Sequence, residues 1–213
     1  MEKGYKIILI AEKFTTKQKI NSDDENNLSL LGMMLFLDPP KATTKEALEK
    51  LEKLGVNVKV ITGDSPLITK KICEEVNLKI IGRVITGEEL SKLNKIEFEN
   101  YCQKYNIFAR ITPDQKYEIV KCLNKEGRIA GFLGDGINDA PALHAADIGI
   151  SVDSASDIAK DAADIILLHK SLLVVANGII EGRKTFGNIT KYMMDITSAN
   201  YGNMLTVAAS SAF

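Results

Sequence analysis

The stretch GFLGDGINDAPALHAAD, residues 131–147, sets a short apolar run against a turn of aspartates and glycines, and the turn opens an alanine-rich segment. That succession reads as a strand emptying into a helix through a loop of chemistry-bearing side chains. It recurs along the chain. VNVKVI (56–61) runs into Thr62-Gly63-Asp64, after which Ser65 as cap and Pro66 as first helical residue predict a helix through PLITKKICEEVN. NIFARI (106–111) precedes TPDQKYEIVKCLNKEG, where Thr112 and Gln115 have the spacing of a capping box, and RIAGFL (128–133), DIGIS (147–151) and DIILL (164–168) read as further strands. Upstream, Pro39 and Pro40 in FLDPPK forbid a regular helix or central strand; Thr43 or Thr44 then caps a helix to Leu54 that Gly55 closes. Strands alternating with helices predict an α/β fold, a doubly wound parallel sheet with helices on both faces.

The composition fits an ordinary globular chain of one or two domains: 213 residues, 45% apolar, 28 acidic side chains against 27 basic. So balanced a charge offers no nucleic-acid-binding surface. Cys73, Cys102 and Cys122 fall at no metal spacing and lie in helix-patterned segments, which reads as buried thiols in a reducing compartment. The opening MEKGYKIILIAEKF shows no export signal, its apolar run being far too short. His144, on the alanine-rich segment, and His169, just past DIILL, suit packing or surface roles. SDDENN (22–27) reads as a solvated loop between the strands YKIILIA and LSLLGMMLFL.

In parallel sheets ligands bind beyond the carboxyl ends of the strands, where Thr62-Gly63-Asp64, ITPDQK (111–116) and GDGIND (134–139) all fall. Asp135 and Asp139 offer hard oxygens suited to Mg²⁺, Thr62 a hydroxyl donor, and Lys116 a cation for phosphate oxygens, while Gly134 and Gly136 allow a sharp turn and close approach to a ligand. Either glycine-aspartate motif alone is an ordinary turn. Two at strand ends with a lysine between them form an apparatus for phosphoryl transfer, in which catalysis is mostly positioning and charge neutralisation.

The motifs TGD, GDGINDAPAL, DPPK and FARITPDQK, in this chain's setting, resemble those of the P-type cation-transporting ATPases. FLDPPK, the segment from GDGINDAPAL to DIILL, and GRKTFGNITKY are most similar to the magnesium-transporting branch, with the proton-pumping branch close behind. The resemblance implies a phosphorylation domain of haloacid-dehalogenase type in which ATP phosphorylates an aspartate with the help of Mg²⁺. By motif, Thr62 would hold the phosphoryl group and Lys116 neutralise it. Asp135 and Asp139 would serve Mg²⁺, Asn138 would complete the network, and Gly63, Asp64 and Gly136 would shape the site. Asp38, Pro39 and Pro40 would form a hinge. It further implies a nucleotide-domain remnant over 1–37, the phosphorylation domain over 38–170, and a stalk with the start of a membrane helix over 171–213. The expected setting is the plasma (inner) membrane, with residues 1 to about 190 cytoplasmic and lipid contacted through the last helix; ATP and a transported cation, Mg²⁺ first, are the expected partners.

One departure stands out. The family's nucleophile lies in Asp-Lys-Thr-Gly-Thr, and no Asp-Lys pair occurs in these 213 residues. The expectation is therefore an incomplete sheet lacking the nucleophile strand, with VNVKVI and RIAGFL flanking a gap or collapsing together. A soluble phosphatase of the same superfamily would need an Asp-x-Asp motif, which is absent, and a non-catalytic remnant is the other alternative. Thr86-Gly87-Glu88 mimics the family's dephosphorylation loop, but Thr86 with Glu89 makes an ordinary capping box. From Ser171 the chain reads as one long helix, basic and amphipathic through IIEGRKTFGNITKYMM and then apolar, short of the roughly 20 residues that a span requires. In the resembled family that helix carries ion-path residues, which makes Asp195, Asn200 and Asn203 candidates, with helix packing or an aqueous interface as the other reading.

Overall fold

The computed structural model describes residues 6–16, 19–36, 40–125 and 128–212, which leaves Asp38 and Pro39 of the expected hinge outside the described residues. Strands β1 (Lys6–Glu12) and β2 (Ser29–Phe36) pair antiparallel as a separate two-stranded sheet. After α1 (Thr43–Lys53) the parallel part begins, in two pieces. β3 (Val60–Ile61), β4 (Ile85–Thr86) and β5 (Ile107–Ala109) form one sheet in the order β3-β5-β4; β6 (Gly131–Leu133), β7 (Ile148–Val152) and β8 (Ile165–Leu167) form another in the order β6-β7-β8. The sequence reading expects a doubly wound parallel sheet that is incomplete, with VNVKVI and RIAGFL flanking a gap or collapsing together. Among the described residues β3 and β6, which come from those two runs, are edge strands of two separate sheets, each hydrogen-bonded on one side only.

Side chains rather than backbone join the two sheets. Helix α5 (Pro113–Asn124) straddles them: Ile119 belongs to the core over the first sheet, with Ile85, Phe108 and Ile111, and Val120 to the core over the second, with Phe132, Leu143 and Ala159. Ile61 of β3 packs against both cores. Burial on both faces suits short, β-branched and aromatic parallel strands such as Ile107-Phe108-Ala109, all fully buried.

Helix starts follow the sequence where a capping side chain is free to act. Ser65 precedes α2 (Pro66–Glu75), its Oγ accepting from the Ile68 N–H at 3.5 Å. Thr86 and Glu89 close a reciprocal box on α3 (Gly87–Leu90), as do Thr112 and Gln115 on α5. A box the sequence reading did not pick out, Asn94 with Glu97, starts α4 (Lys95–Lys104). Neither Thr43 nor Thr44 caps α1. Its N-cap is Ala42, without a side-chain bond, and the Thr43 hydroxyl lies 3.5 Å from Ser171 Oγ at the start of the long C-terminal helix. Gly55 ends α1 at φ +72°, the left-handed geometry that glycine takes without strain.

Among the described residues three α-helices follow β6: α6 (Ala140–Ala145), α7 (Asp157–Asp161) and the unbroken α8 (Leu172–Ala212). The start of α8 lies on α1, where Lys50 Nζ donates to Asn177 Oδ1 at 3.1 Å and Arg183 donates to the Leu54 carbonyl at 2.7 Å. Beyond Lys191 every described residue of α8 is exposed, Asp195, Asn200 and Asn203 included. No helix of the described residues is long and apolar enough to cross a membrane.

The three cysteines are buried, and burial pushes the Cys73 and Cys102 thiols up, away from the reactive thiolate. Beside Cys102 lies Lys59, whose ammonium donates to the Tyr105 and Gln103 carbonyls at 2.6 and 3.2 Å. Burial lowers the pKa of Lys59 from its ordinary value of 10.5. Between the lowered value and 10.5 the unfolded chain therefore binds more protons than the folded one, so this lysine's contribution to stability rises with pH. Urea unfolding of wild type and Lys59→Met should show their stability difference moving in favour of wild type from pH 8 to 10.5; a constant difference would refute it.

Candidate active site

The loops after β3, β5 and β6 leave the carboxyl ends of their strands, and Lys116 of α5 links the first sheet's side to the loop after β6. After β3, the Thr62 hydroxyl accepts from the Asp64 N–H at 3.1 Å and donates to the Asp64 carboxylate at 3.4 Å, a closed local turn. Backbone bonds tie that turn to the loop after β5: the Ile111 N–H donates to the Thr62 carbonyl at 3.0 Å and the Arg110 N–H to the Asp64 carbonyl at 2.9 Å. Arg110 makes the second bond from φ +53°, a conformation that costs a non-glycine residue energy and is held by its surroundings. Two residues on, Thr112 starts α5 and places Lys116 on its first turn.

Lys116 reaches across to the second sheet. Its Nζ lies 2.6 Å from Asp139 Oδ1, with the side chains only 15% and 12% exposed. The other Asp139 oxygen accepts from the Gly136 N–H at 3.2 Å, so the carboxylate is held from two sides. Gly134 makes room for it: a methyl group there would stand 2.6 Å from Asp139 Cβ and 3.0 Å from its Cγ. Ser151, fully buried on β7, donates to the Gly134 carbonyl at 2.9 Å, and the Ser156 N–H donates to the Asp135 carbonyl at 3.2 Å. The loop is thus braced by the two strands and the helix around it.

Of the two aspartates assigned to a metal by sequence, only Asp139 is buried. Asp135 is half exposed and ion-paired with Lys170, which lies just beyond β8. Asn138 and Gly63 are exposed, Gly136 partly so. Pro40 precedes α1 outside any regular element. His144 and His169 are exposed and join no cluster, and among the described residues no group of three His, Cys, Asp or Glu converges as a ready metal cage. Two carboxylates on one loop nevertheless suit Mg²⁺, which keeps several waters and binds through one or two carboxylates plus substrate oxygens. The sequence reading missed Lys170, Ser151 and the strained Arg110. Lys170 had a signal, since it too follows a strand end; the other two had none.

A parallel α/β domain that presents carboxylates and a lysine from loops past its strand ends defines the class. The chain belongs to the haloacid dehalogenase-like hydrolase family, whose model matches residues 4–147. Over 212 residues it is 49% identical to the magnesium-transporting ATPase, P-type 1, of Escherichia coli, an alignment covering 99% of this chain and 24% of that protein. Calcium-transporting ATPase 1 of Lactococcus lactis is 31% identical over 209 residues, 97% of this chain and 24% of that one. Among solved structures, a zinc-transporting PIB-type ATPase matches with a TM-score of 0.61 at 28% identity, over 89% of this chain and 24% of the other. The chain spans about a quarter of the length of the curated relatives it matches.

Proposed function

We propose that these residues form the supporting half of the phosphorylation site of an ATP-driven cation pump, with Mg²⁺ as the transported ion. The observation that carries this is the Lys116–Asp139 pair, buried between the first turn of α5 and the loop after β6. Support for the pump comes from 49% identity to a magnesium-transporting relative, against 31% to a calcium-transporting one.

Phosphoryl transfer needs oxygens in line, their charge neutralised, and water kept out. In this reading the Thr62 hydroxyl and the Gly63 N–H hold the phosphoryl oxygens, with Asp64 orienting the Thr62 turn. Lys116 neutralises the charge that develops on those oxygens, and Asp139 keeps its ammonium in place. Asp135 would hold Mg²⁺, which would supply further neutralisation, and Asn138 and Asp139 would complete the network around it, Asp139 through the Lys116 ammonium it holds. The reacting carboxylate comes from a segment outside these 213 residues. Its strand fits the unpaired edges of β3 and β6; on β6 Gly131 and Leu133 are exposed. The ATP-binding surface belongs with residues 1–37, whose hairpin leaves Leu30, Leu31 and Met33 about 60% exposed and in need of covering strands. Residues 38–170 are the phosphorylation domain, with Asp38, Pro39 and Pro40 as its hinge. Residues 171–213 are a stalk that carries Asp195, Asn200 and Asn203 towards the ion path at the plasma membrane.

The test is phosphoenzyme formation in a full-length pump carrying this segment. Asp135→Asn keeps the turn and removes a charged ligand, so labelling at limiting Mg²⁺ should fall on the order of 10²-fold without loss of folding. Unchanged labelling would sink the assignment.

A further inference from the structure

Asp135, the more exposed of the two acidic groups, already has a cation. The Lys170 ammonium is its ion-pair partner, and Lys170 occupies a particular place in the chain. It is the second residue before α8 begins, and its own carbonyl accepts from the Lys41 ammonium, next to Pro40. Its neighbour Ser171 meets the Thr43 hydroxyl at 3.5 Å, and α8 is then fastened to α1 through Lys50–Asn177 and Arg183–Leu54. One residue therefore touches the loop after β6 with its side chain and the segment leading into α1 with its backbone.

We infer that Lys170 is the resident counter-ion of Asp135, and that a divalent cation must displace it to bind there, so that occupancy is reported to the junction of α1 and α8. The inference rests on the reading of Asp135 as a Mg²⁺ ligand and adds a residue to it. A lysine ammonium and a hard dication compete for the same carboxylate oxygens, and both cannot lie against them without mutual repulsion. The pair is half exposed on each side, so water and salt screen it and its hold on Asp135 is modest. That suits a contact meant to yield. A released Lys170 side chain loses its anchor, and the link from Asp135 to Lys170, Ser171 and the first turn of α8 loosens. Lys170 is a positioning residue here, acting through Asp135.

The experiment is titration of the full 213-residue chain with MgCl₂ at constant ionic strength, followed by amide NMR shifts of residues 134–139 and 171–176. In wild type both groups should respond with one apparent dissociation constant. Lys170→Met should bind Mg²⁺ about threefold more tightly, because the competitor is gone, and its 171–176 amides should no longer follow the titration. Lys170→Arg should behave like wild type. Asp135→Asn separates the two levels. If Mg²⁺ shifts are lost in Asp135→Asn yet Lys170→Met binds with wild-type affinity, or the wild-type 171–176 amides stay silent, the role of Lys170 is overturned and the ligand assignment stands. If Asp135→Asn binds Mg²⁺ as wild type does, both fail.

Discussion

Replacing Lys116 with methionine should destabilise the folded chain by about 3 kcal/mol, the cost of leaving a buried carboxylate without its partner. Methionine keeps most of the stem, so the loss reports the charge and not the packing. Asp139 has a side chain only 12% exposed and one remaining donor, the Gly136 N–H at 3.2 Å, which cannot replace an ammonium at 2.6 Å. Urea unfolding measures it. The double variant Lys116→Met with Asp139→Leu should recover most of the loss, since removing both charges removes the unpaired one. A single variant within about 0.5 kcal/mol of wild type, the range of ordinary surface substitutions, would mean that the pair is screened and peripheral.

Gly134→Ala should cost about as much by a different route. The added methyl would sit 2.6 Å from Asp139 Cβ and 3.0 Å from Phe132 Cε1. Cβ of Asp139 is fixed by the backbone of the short turn Ile137–Asp139 and cannot rotate aside, so the turn must move and carry the carboxylate away from Lys116. Overpacking of this kind costs roughly 1–3 kcal/mol, and here part of the ion pair is lost as well. The two effects share one contact. Gly134→Ala combined with Lys116→Met should therefore cost clearly less than the sum of the single changes, and strict additivity would show that Gly134 does not position Asp139.

How much of this was legible in the residues depends on the range of the interaction. Ser65, Thr86 and Thr112 cap their helices within three residues of sequence, so their spacing suffices. Thr43 has the same local credentials as a cap, but its hydroxyl is turned to Ser171, 128 residues away. The strand positions were readable as apolar runs, yet RIAGFL contributes only Gly131–Leu133 to its sheet and NIFARI only Ile107–Ala109, because pairing depends on neighbours and Arg110 leaves the strand at φ +53°. The alternation of strand and helix foretold a parallel α/β domain; the expectation that β3 and β6 border a gap came instead from the absent Asp-Lys-Thr-Gly-Thr motif. At the site, the residue types were visible in the motifs, and the pairing was not. Nothing local says that Lys116 takes Asp139 and Lys170 takes Asp135, since both choices join separate loops.

The central claim is that this chain supplies the groups that hold and neutralise a phosphoryl group, and that the carboxylate accepting it lies outside these 213 residues. Covalent transfer needs a carboxylate free for in-line attack. Asp139 is engaged with Lys116 and the Gly136 N–H, and Asp64 with the Thr62 hydroxyl. The measurement is incubation of the purified chain with γ-labelled ATP and Mg²⁺, acid quench, and a test of hydroxylamine lability. No acid-stable, hydroxylamine-labile label is expected on the chain alone, and labelling should appear when a segment bearing Asp-Lys-Thr-Gly-Thr is supplied and inserts at the open edges. Stoichiometric labelling of the chain alone, mapped to Asp64, Asp135 or Asp139, would contradict the division of roles proposed for this site.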